Sequence, residues 1–255
     1  MSFIEKPNLP ANNVKTIIID SRASSDICKG LVSHGIQVLK TLPHPYVYEA
    51  ISCHPDVFIH HLGQNRIIYA KGTDINLLHS LDELGFILIE GKAVLTSQYP
   101  GCIAYNAARV GDYLFHNLKY TDPVLLFEAE RVGVKPVHVN QGYTKCSVSI
   151  VDEKSIITSD KGIYKAAISC GIDVLLIEPD NSIVLNGLNM GFIGGSSGLI
   201  GNKKWAVTGN IRRLKSYDAI INFLGRRGIE AVCITEGSVT DIGSILPILQ
   251  CNERI

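Results

Sequence analysis

Ile75-Asn76-Leu77-Leu78-His79-Ser80-Leu81-Asp82-Glu83-Leu84-Gly85-Phe86-Ile87-Leu88-Ile89-Glu90 is the stretch on which the fold turns. An amphipathic run closes on a glycine, a bulky apolar residue follows, and an apolar strand begins. Glycine just past a helix takes the left-handed conformation that ends it, and the hydrophobe after it packs back on the last turn. The same junction recurs as His34-Gly35-Ile36, Val132-Gly133-Val134, Cys170-Gly171-Ile172 and Arg227-Gly228-Ile229. One such junction is a loop; five with the same sequel are a repeat.

Each glycine is preceded by a predicted helix: Ser25 to His34, Ile75 to Leu84, Pro123 to Val132, Ile163 to Cys170 and Ser216 to Arg227. Asp122 before Pro123, and Ser216, suit helix starts. The strands that follow are Ile36 to Leu42, Phe86 to Glu90, Val134 to Val139, Val174 to Ile177 and Ala231 to Thr235, with Thr16 to Ile19 ahead of the first unit. After each of the first four comes a predicted hairpin: Val57 to Leu62 with Ile67 to Ala70, Ile103 to Val110 with Tyr113 to Phe115, Val148 to Val151 with Ile156 to Thr158, and Gly198 to Ile200 with Trp205 to Thr208. Glycine, asparagine and aspartate at the turns supply the backbone angles that tight hairpins need. The shorter fifth unit borrows the N-terminal strand, which closes the ring and removes exposed edges. The expected units are 15–73, 74–121, 122–161, 162–215 and 216–255 in a single domain. A (β/α)₈ barrel would need eight helices, and a doubly wound sheet would need single strands between helices. The remaining architecture is α/β, a five-bladed pseudo-fivefold β/α propeller.

Composition agrees with a well-buried globule: 255 residues, 46% hydrophobic and 19% charged. The formal net charge is zero, so the molecule as a whole exerts no pull on nucleic acid or anionic lipid. Between Gly201 and Glu230, Lys203, Lys204, Arg212, Arg213, Lys215, Arg226 and Arg227 face only Asp218 and Glu230, a basic surplus that reads as a solvated helix face. Seven cysteines without CxxC spacing indicate neither a disulfide framework nor a zinc knuckle. The polar N-terminus is not a signal peptide, and no apolar run reaches the roughly 18 residues of a membrane span. A cytoplasmic protein with reduced thiols, no membrane partner, and neither metal nor cofactor is expected.

Five such units resemble the β/α propeller of the guanidine-group-modifying, or pentein, superfamily. The nearest local matches are His54-Pro55-Asp56-Val57-Phe58-Ile59 and Gly191-Phe192-Ile193-Gly194-Gly195. That superfamily holds arginine deiminases, dimethylarginine hydrolases, amidinotransferases and a non-catalytic branch that binds the large ribosomal subunit. The resemblance implies a cysteine nucleophile in the last unit, a histidine with an acid two residues on in the fourth, and a guanidinium-pairing acid in the first. A thiolate suits the substrate carbon, a proton donor the leaving amine, and a carboxylate the planar cation. This chain departs at all three places. Gly243 or Ser244 stands at the nucleophile position, Gly194-Gly195-Ser196-Ser197-Gly198 holds neither histidine nor acid, and His61 stands where the first acid is expected.

The polar patches that open the units are expected to converge on the axis. They are Cys53-His54-Pro55-Asp56, Pro100-Gly101-Cys102, Asn140 to Cys146, Gly194 to Gly198, and Glu236 with Asp241. Expected ligand-binding residues are His54, Asp56, His61, Cys102, Asn140, Cys146, Ser196, Ser197, Glu236 and Asp241. His60 and His61 alternate across a strand, so at most one faces the axis and the other is placed at the surface. Gly191 to Gly201 leads into a strand, not a helix, and lacks a phosphate-loop ending, so its glycines signify close backbone approach. Three functional readings follow. The first is a binder of a small polar or guanidinium-like ligand that lacks the family's hydrolase residues. The second is an enzyme with relocated chemistry, using Cys102 or Cys146 with His54. The third is a ribosome- or RNA-associated protein working through the basic surplus, since nucleic acid is disfavoured but not excluded.

Overall fold

The computed structural model describes residues 1–252; residues 253–255, the end of the last expected unit, lie outside the described residues. The chain begins with β1 (Ser2–Phe3), β2 (Val14–Asp20), α1 (Ser25–Ser33) and β3 (Gln37–Thr41). A helical turn, α2 (Pro55–Phe58), enters the hairpin β4 (Ile59–Gly63) and β5 (Arg66–Tyr69), followed by α3 (Ile75–Glu83) and β6 (Ile87–Glu90). The next hairpin, β7 (Ala108–Val110) and β8 (Tyr113–His116), leads to α4 (Pro123–Arg131) and β9 (Lys135–His138). A second helical turn, α5 (Thr144–Ser147), precedes β10 (Val148–Asp152), β11 (Ser155–Thr158), α6 (Lys161–Ser169) and β12 (Asp173–Leu176). The chain ends with β13 (Ser197–Gly201), β14 (Lys204–Val207), α7 (Tyr217–Gly225), β15 (Glu230–Cys233) and β16 (Leu246–Gln250).

All five junction glycines have positive φ, between 63° and 89°, so the helix stops read from sequence are present in the backbone. Ser24, Asp74, Asp122 and Asp160 each accept a first-turn N–H through the side chain, whereas Ser216 holds the cap position without such a bond. Four sheets share one order: an antiparallel hairpin whose second strand pairs in parallel with the strand beyond the helix. The remaining sheet, β1-β16-β2-β3, is assembled from both ends of the chain, with β16 antiparallel to β2. That is the closure expected from the short last unit. The core is correspondingly divided into four clusters of buried residues, and each draws on more than one sheet.

Three local expectations are corrected. The strand predicted from Ile103 begins only at Ala108, because a turn closed by Asn106 N–H on the Ile103 carbonyl takes the residues before it. Val57 and Phe58 belong to α2 rather than to a strand. Neither His60 nor His61 reaches the surface, because every residue of β4 is buried. His61 packs edge-on to Phe86 and its Nε2 lies 2.9 Å from the Gln64 carbonyl.

Residues 4–13 cross the hairpin-turn end of the ring. Gln64 N–H donates to the Ile4 carbonyl, Lys6 pairs with Glu153 at 3.0 Å, and Ala11 and Asn12 donate to Gln250 Oε1. Arg227 of the basic stretch ties to Asp152, Asp173 and Ser155 across to the neighbouring sheet. Among the described residues no helix is long and apolar enough to cross a membrane. Connecting segments 42–54, 91–107, 139–143 and 234–245 carry His54, Cys102, Asn106, Tyr143, Asp241 and Ser244, and the helical turns α2 and α5 carry Asp56, Lys145 and Cys146.

Candidate functional site

Two helical turns that end on buried strands put their side chains on the axis. In α2, Pro55 at the first helical position favours the turn, and Asp56 follows it. In α5, Thr144 Oγ1 donates to the Gln141 carbonyl at 2.6 Å, and Lys145 and Cys146 follow. Cys146 Sγ lies 3.2 and 3.3 Å from the two Asp56 carboxylate oxygens. Asn106 clasps the pair: its Nδ2 donates to Cys146 Sγ at 3.2 Å and to the Asp56 carbonyl at 3.0 Å, while its Oδ1 accepts from Lys145 and Cys146 N–H. Lys145 Nζ donates to Ser244 Oγ at 2.8 Å, and that hydroxyl lies 2.7 Å from Asp56 Oδ2. The first, second, third and fifth units thus meet through side chains at one buried point.

Ser244 holds φ 78°, a left-handed conformation that is strained for a non-glycine residue. Gly243 beside it also has positive φ, and a Cβ there would collide with His54. This segment is the place to which the family resemblance assigns the nucleophile, and a hydroxyl bridging Lys145 to Asp56 fills it. The glycines of the fourth unit are explained by close approach: a Cβ on Gly194 would strike the Val148 carbonyl, and one on Gly195 the Asp241 carboxylate.

His54 is 1% exposed and stands between two buried carboxylates. Its Nε2 is 3.7 Å from Asp20 Oδ2 and its Nδ1 is 3.8 Å from Asp241 Oδ1. Both distances exceed hydrogen-bond range, and among the described residues neither ring nitrogen has a hydrogen-bond partner. Asp20 is engaged by Arg22, and Asp241 accepts from the Phe192 and Gly243 N–H groups. His54, Asp56 and Cys146 each offer one ligand-type atom, all within 4.8 Å of one another.

Burial dominates the electrostatics. It pushes the Cys146 thiol well above its ordinary value, and the negative charges of Asp56 and Asp241 push it further. It raises Asp241, a shift partly countered by His54. Lys145 is lowered by burial, and Asp56, Cys146 and Asp241 hold it up. The resting nucleophile candidate is therefore a thiol. A cation that neutralised the carboxylates would bring it down.

Above the centre, Tyr143 Oη sits 2.9 Å from Cys102 Sγ and 3.3 Å from Tyr48 Oη. Tyr48 is half-buried, and burial raises its hydroxyl, a shift partly countered by the Tyr143 hydrogen bond and added to by Cys102, Cys146 and Asp241. The structure thus brings His54, Asp56, Cys146 and Asp241 together, with Cys102 one layer outward. Ser196 and Ser197 are buried beside them, but their hydroxyls close on the Ile193 carbonyl. Asn140 and Glu236 are exposed. Glu236 takes the Asn210 amide at the surface, and the Asn140 carbonyl takes that of Asn117. His61 is held by Gln64 and Phe86, as described above. Asn106, Asp20 and Tyr48 join the site without a signal in the sequence pattern, whereas Lys145 lies in the expected Asn140 to Cys146 patch and Ser244 at the expected nucleophile position.

The expectation that the chain lacks the family's Cys, His and acid residues is not supported: a Cys–His–Asp group, Cys146 with His54 and Asp56, is buried at the centre. Among solved structures, the fold is similar to the inosamine-phosphate amidinotransferase StrB1 from Streptomyces griseus, with 11% identity over 99% of this chain and 97% of that one, TM-score 0.60. It is similar to a C. jejuni agmatine deiminase, with 8% identity, 97% of each chain and TM-score 0.56. It is also similar to SxtG, an amidinotransferase from Microseira wollei in a saxitoxin biosynthetic pathway, with 12% identity over 89% of this chain and 91% of that one, TM-score 0.55. These likenesses establish the pentein β/α propeller as the fold. No curated protein matches the chain in sequence. Residues 18–246 match a family of unknown function, DUF6873, and the chain belongs to that family.

Proposed function

We propose that this chain is a thiol-dependent enzyme acting on a small cationic guanidine or amidine compound, with Cys146 as nucleophile. The observation that carries the reading is the contact of Cys146 Sγ with both Asp56 oxygens, 3.2 and 3.3 Å, beside His54 at the closed centre of the ring. A planar cation seated against Asp56 and Asp241 offsets the charges that keep the thiol protonated. Asp56 then accepts the thiol proton, and the thiolate forms a bond to the central carbon of the substrate. His54, standing between the Asp20 and Asp241 carboxylates, gives a proton to the amine that leaves with its bonding electrons. Water or an acceptor amine next attacks the same carbon, breaks the S–C bond and restores the thiol. Entry requires displacement of the Tyr48–Tyr143 hydroxyl pair.

The test is covalent labelling with chloroacetamidine, which joins an amidinium to an alkylating carbon, against iodoacetamide, which lacks the charge. Peptide mass mapping should place the chloroacetamidine adduct on Cys146 faster than iodoacetamide reaches it, and agmatine or arginine should slow it. Exposed Cys251 serves as the internal control. An adduct on Cys251 with none on Cys146, at any ratio of the two reagents, sinks the reading.

A further inference from the structure

We infer that His54, Asp56 and Cys146 form a three-ligand site for a thiophilic divalent cation, zinc in the first instance. The inference uses residues of the proposed active centre but not its chemistry, and it holds whether or not Cys146 turns over. One ligand atom from each residue lies within 4.8 Å of the others, all three are buried, and the set is one sulfur, one nitrogen and one oxygen. Bond lengths of roughly 2.0–2.3 Å at a tetrahedral ion put ligand atoms roughly 3.3–3.7 Å apart. The Cys146–Asp56 pair, at 3.2 and 3.3 Å, is close to that spacing already. Only His54 has to move inward.

Two independent observations point the same way. First, His54 is fully buried with no hydrogen bond to either ring nitrogen among the described residues, a costly state that ligation of one nitrogen would relieve. Second, each nitrogen faces a carboxylate, Asp20 at 3.7 Å and Asp241 at 3.8 Å. Whichever nitrogen takes the metal, the other has a carboxylate ready for its N–H, the arrangement that fixes metal-bound histidines. The charges balance as well. The ion exchanges with the thiol proton, so one proton leaves per metal bound, and the cation is offset by the Asp56 carboxylate and the Cys146 thiolate. Lys145 Nζ stays hydrogen-bonded to Ser244 Oγ, with Asp241 as a further negative charge acting on it. Three protein ligands leave a fourth position open for water or an anion. Tying up the thiolate makes the metal-loaded protein silent toward alkylation.

Cobalt(II) provides the probe, because a thiolate bound to it gives a charge-transfer band in the near ultraviolet. Titration of the full chain should give this band at one equivalent, with about one proton released per ion in weakly buffered solution and with displacement by one equivalent of zinc. Cys146→Ser should abolish the band, His54→Gln should shift its midpoint to higher cobalt, and Cys102→Ser should leave it intact. Circular dichroism confirms folding of each variant. A wild-type chain that gives no band, or a band that survives Cys146→Ser, overturns the site. Chloroacetamidine labelling in chelator-treated protein is read separately, so loss of the enzyme reading leaves this result standing, and the reverse.

Discussion

Buried histidines outside the site make the fold sensitive to pH, and burial lowers His44 as well as the three shifted furthest. His60, His61 and His116 are buried, and desolvation of the charged form, the largest cause in each case, lowers them to about 3, about 4 and about 4. In the unfolded chain they titrate near 6.5. Below that value the unfolded state binds protons that the folded state refuses, so stability is complete above about pH 6.5 and falls as the pH drops toward about 4. Each histidine contributes a slope of about 1.4 kcal/mol per pH unit inside that window, and the three together amount to about 10 kcal/mol across it, comparable with ordinary domain stability. Urea unfolding between pH 7.5 and 5 should therefore show a steep loss, and His116→Gln should flatten it by about one proton. A flat profile would show that these rings are charged in the folded state. None of this was legible from sequence, where one of His60 and His61 was placed at the surface on strand alternation alone. The same limit applies at the axis. His54, Asp56, Cys146 and Asp241 could be read because they sit at strand entrances, but Lys145 and Ser244 gain meaning only when units far apart in the chain meet.

Asp122 shows how one cap serves two elements. Its Oδ1 accepts from Val124 and Leu125 N–H at the start of α4, each at 2.9 Å. Its Oδ2 accepts from Lys92 and Ala93 N–H and from the Tyr105 hydroxyl, which fastens the 91–107 segment that carries Cys102 and Asn106 to the same helix. An ordinary cap is worth about 1 kcal/mol. Asp122→Ala should cost about 2–4 kcal/mol, because it also removes the acceptor of the Lys92 and Ala93 N–H groups, while the Tyr105 hydroxyl keeps the Ala93 carbonyl. It should further loosen Cys102, which alkylation rates would report. A loss near 1 kcal/mol with unchanged Cys102 reactivity would mean that the second set of bonds is solvent-replaced. The helix start at Asp122-Pro123 and the five glycine stops were legible because capping is local chemistry. The turn at 103–107, predicted as strand, was not, since Asn106 leaves the strand pattern to reach residues forty to fifty positions away.

At the scale of the ring, β16 decides whether five units are one molecule. It lies between β1 and β2, and Leu246, Ile248 and Leu249 enter the largest core cluster. The Gln250 side chain holds the N–H groups of Ala11 and Asn12, which anchors the segment crossing the hairpin-turn end. Without β16, β2 becomes an open edge, and Ser244 and Asp241 lose the strand that follows them. Because the core is spread over clusters shared between neighbouring sheets, removing one seam exposes two sheets at once. A modular solenoid would lose only its end repeat, but a closed ring should lose everything. Trp205, fully buried in β14 and bonded through its indole N–H to Ser149 Oγ at 2.8 Å, reports on units that do not touch the missing strand in sequence. A chain ending at residue 245 should therefore show solvent-exposed tryptophan fluorescence and no cooperative thermal transition, and a synthetic peptide of residues 246–252 added in trans should restore both. Retention of the buried Trp205 spectrum with a sharp melt in the shortened chain would show that the units fold independently of the closure.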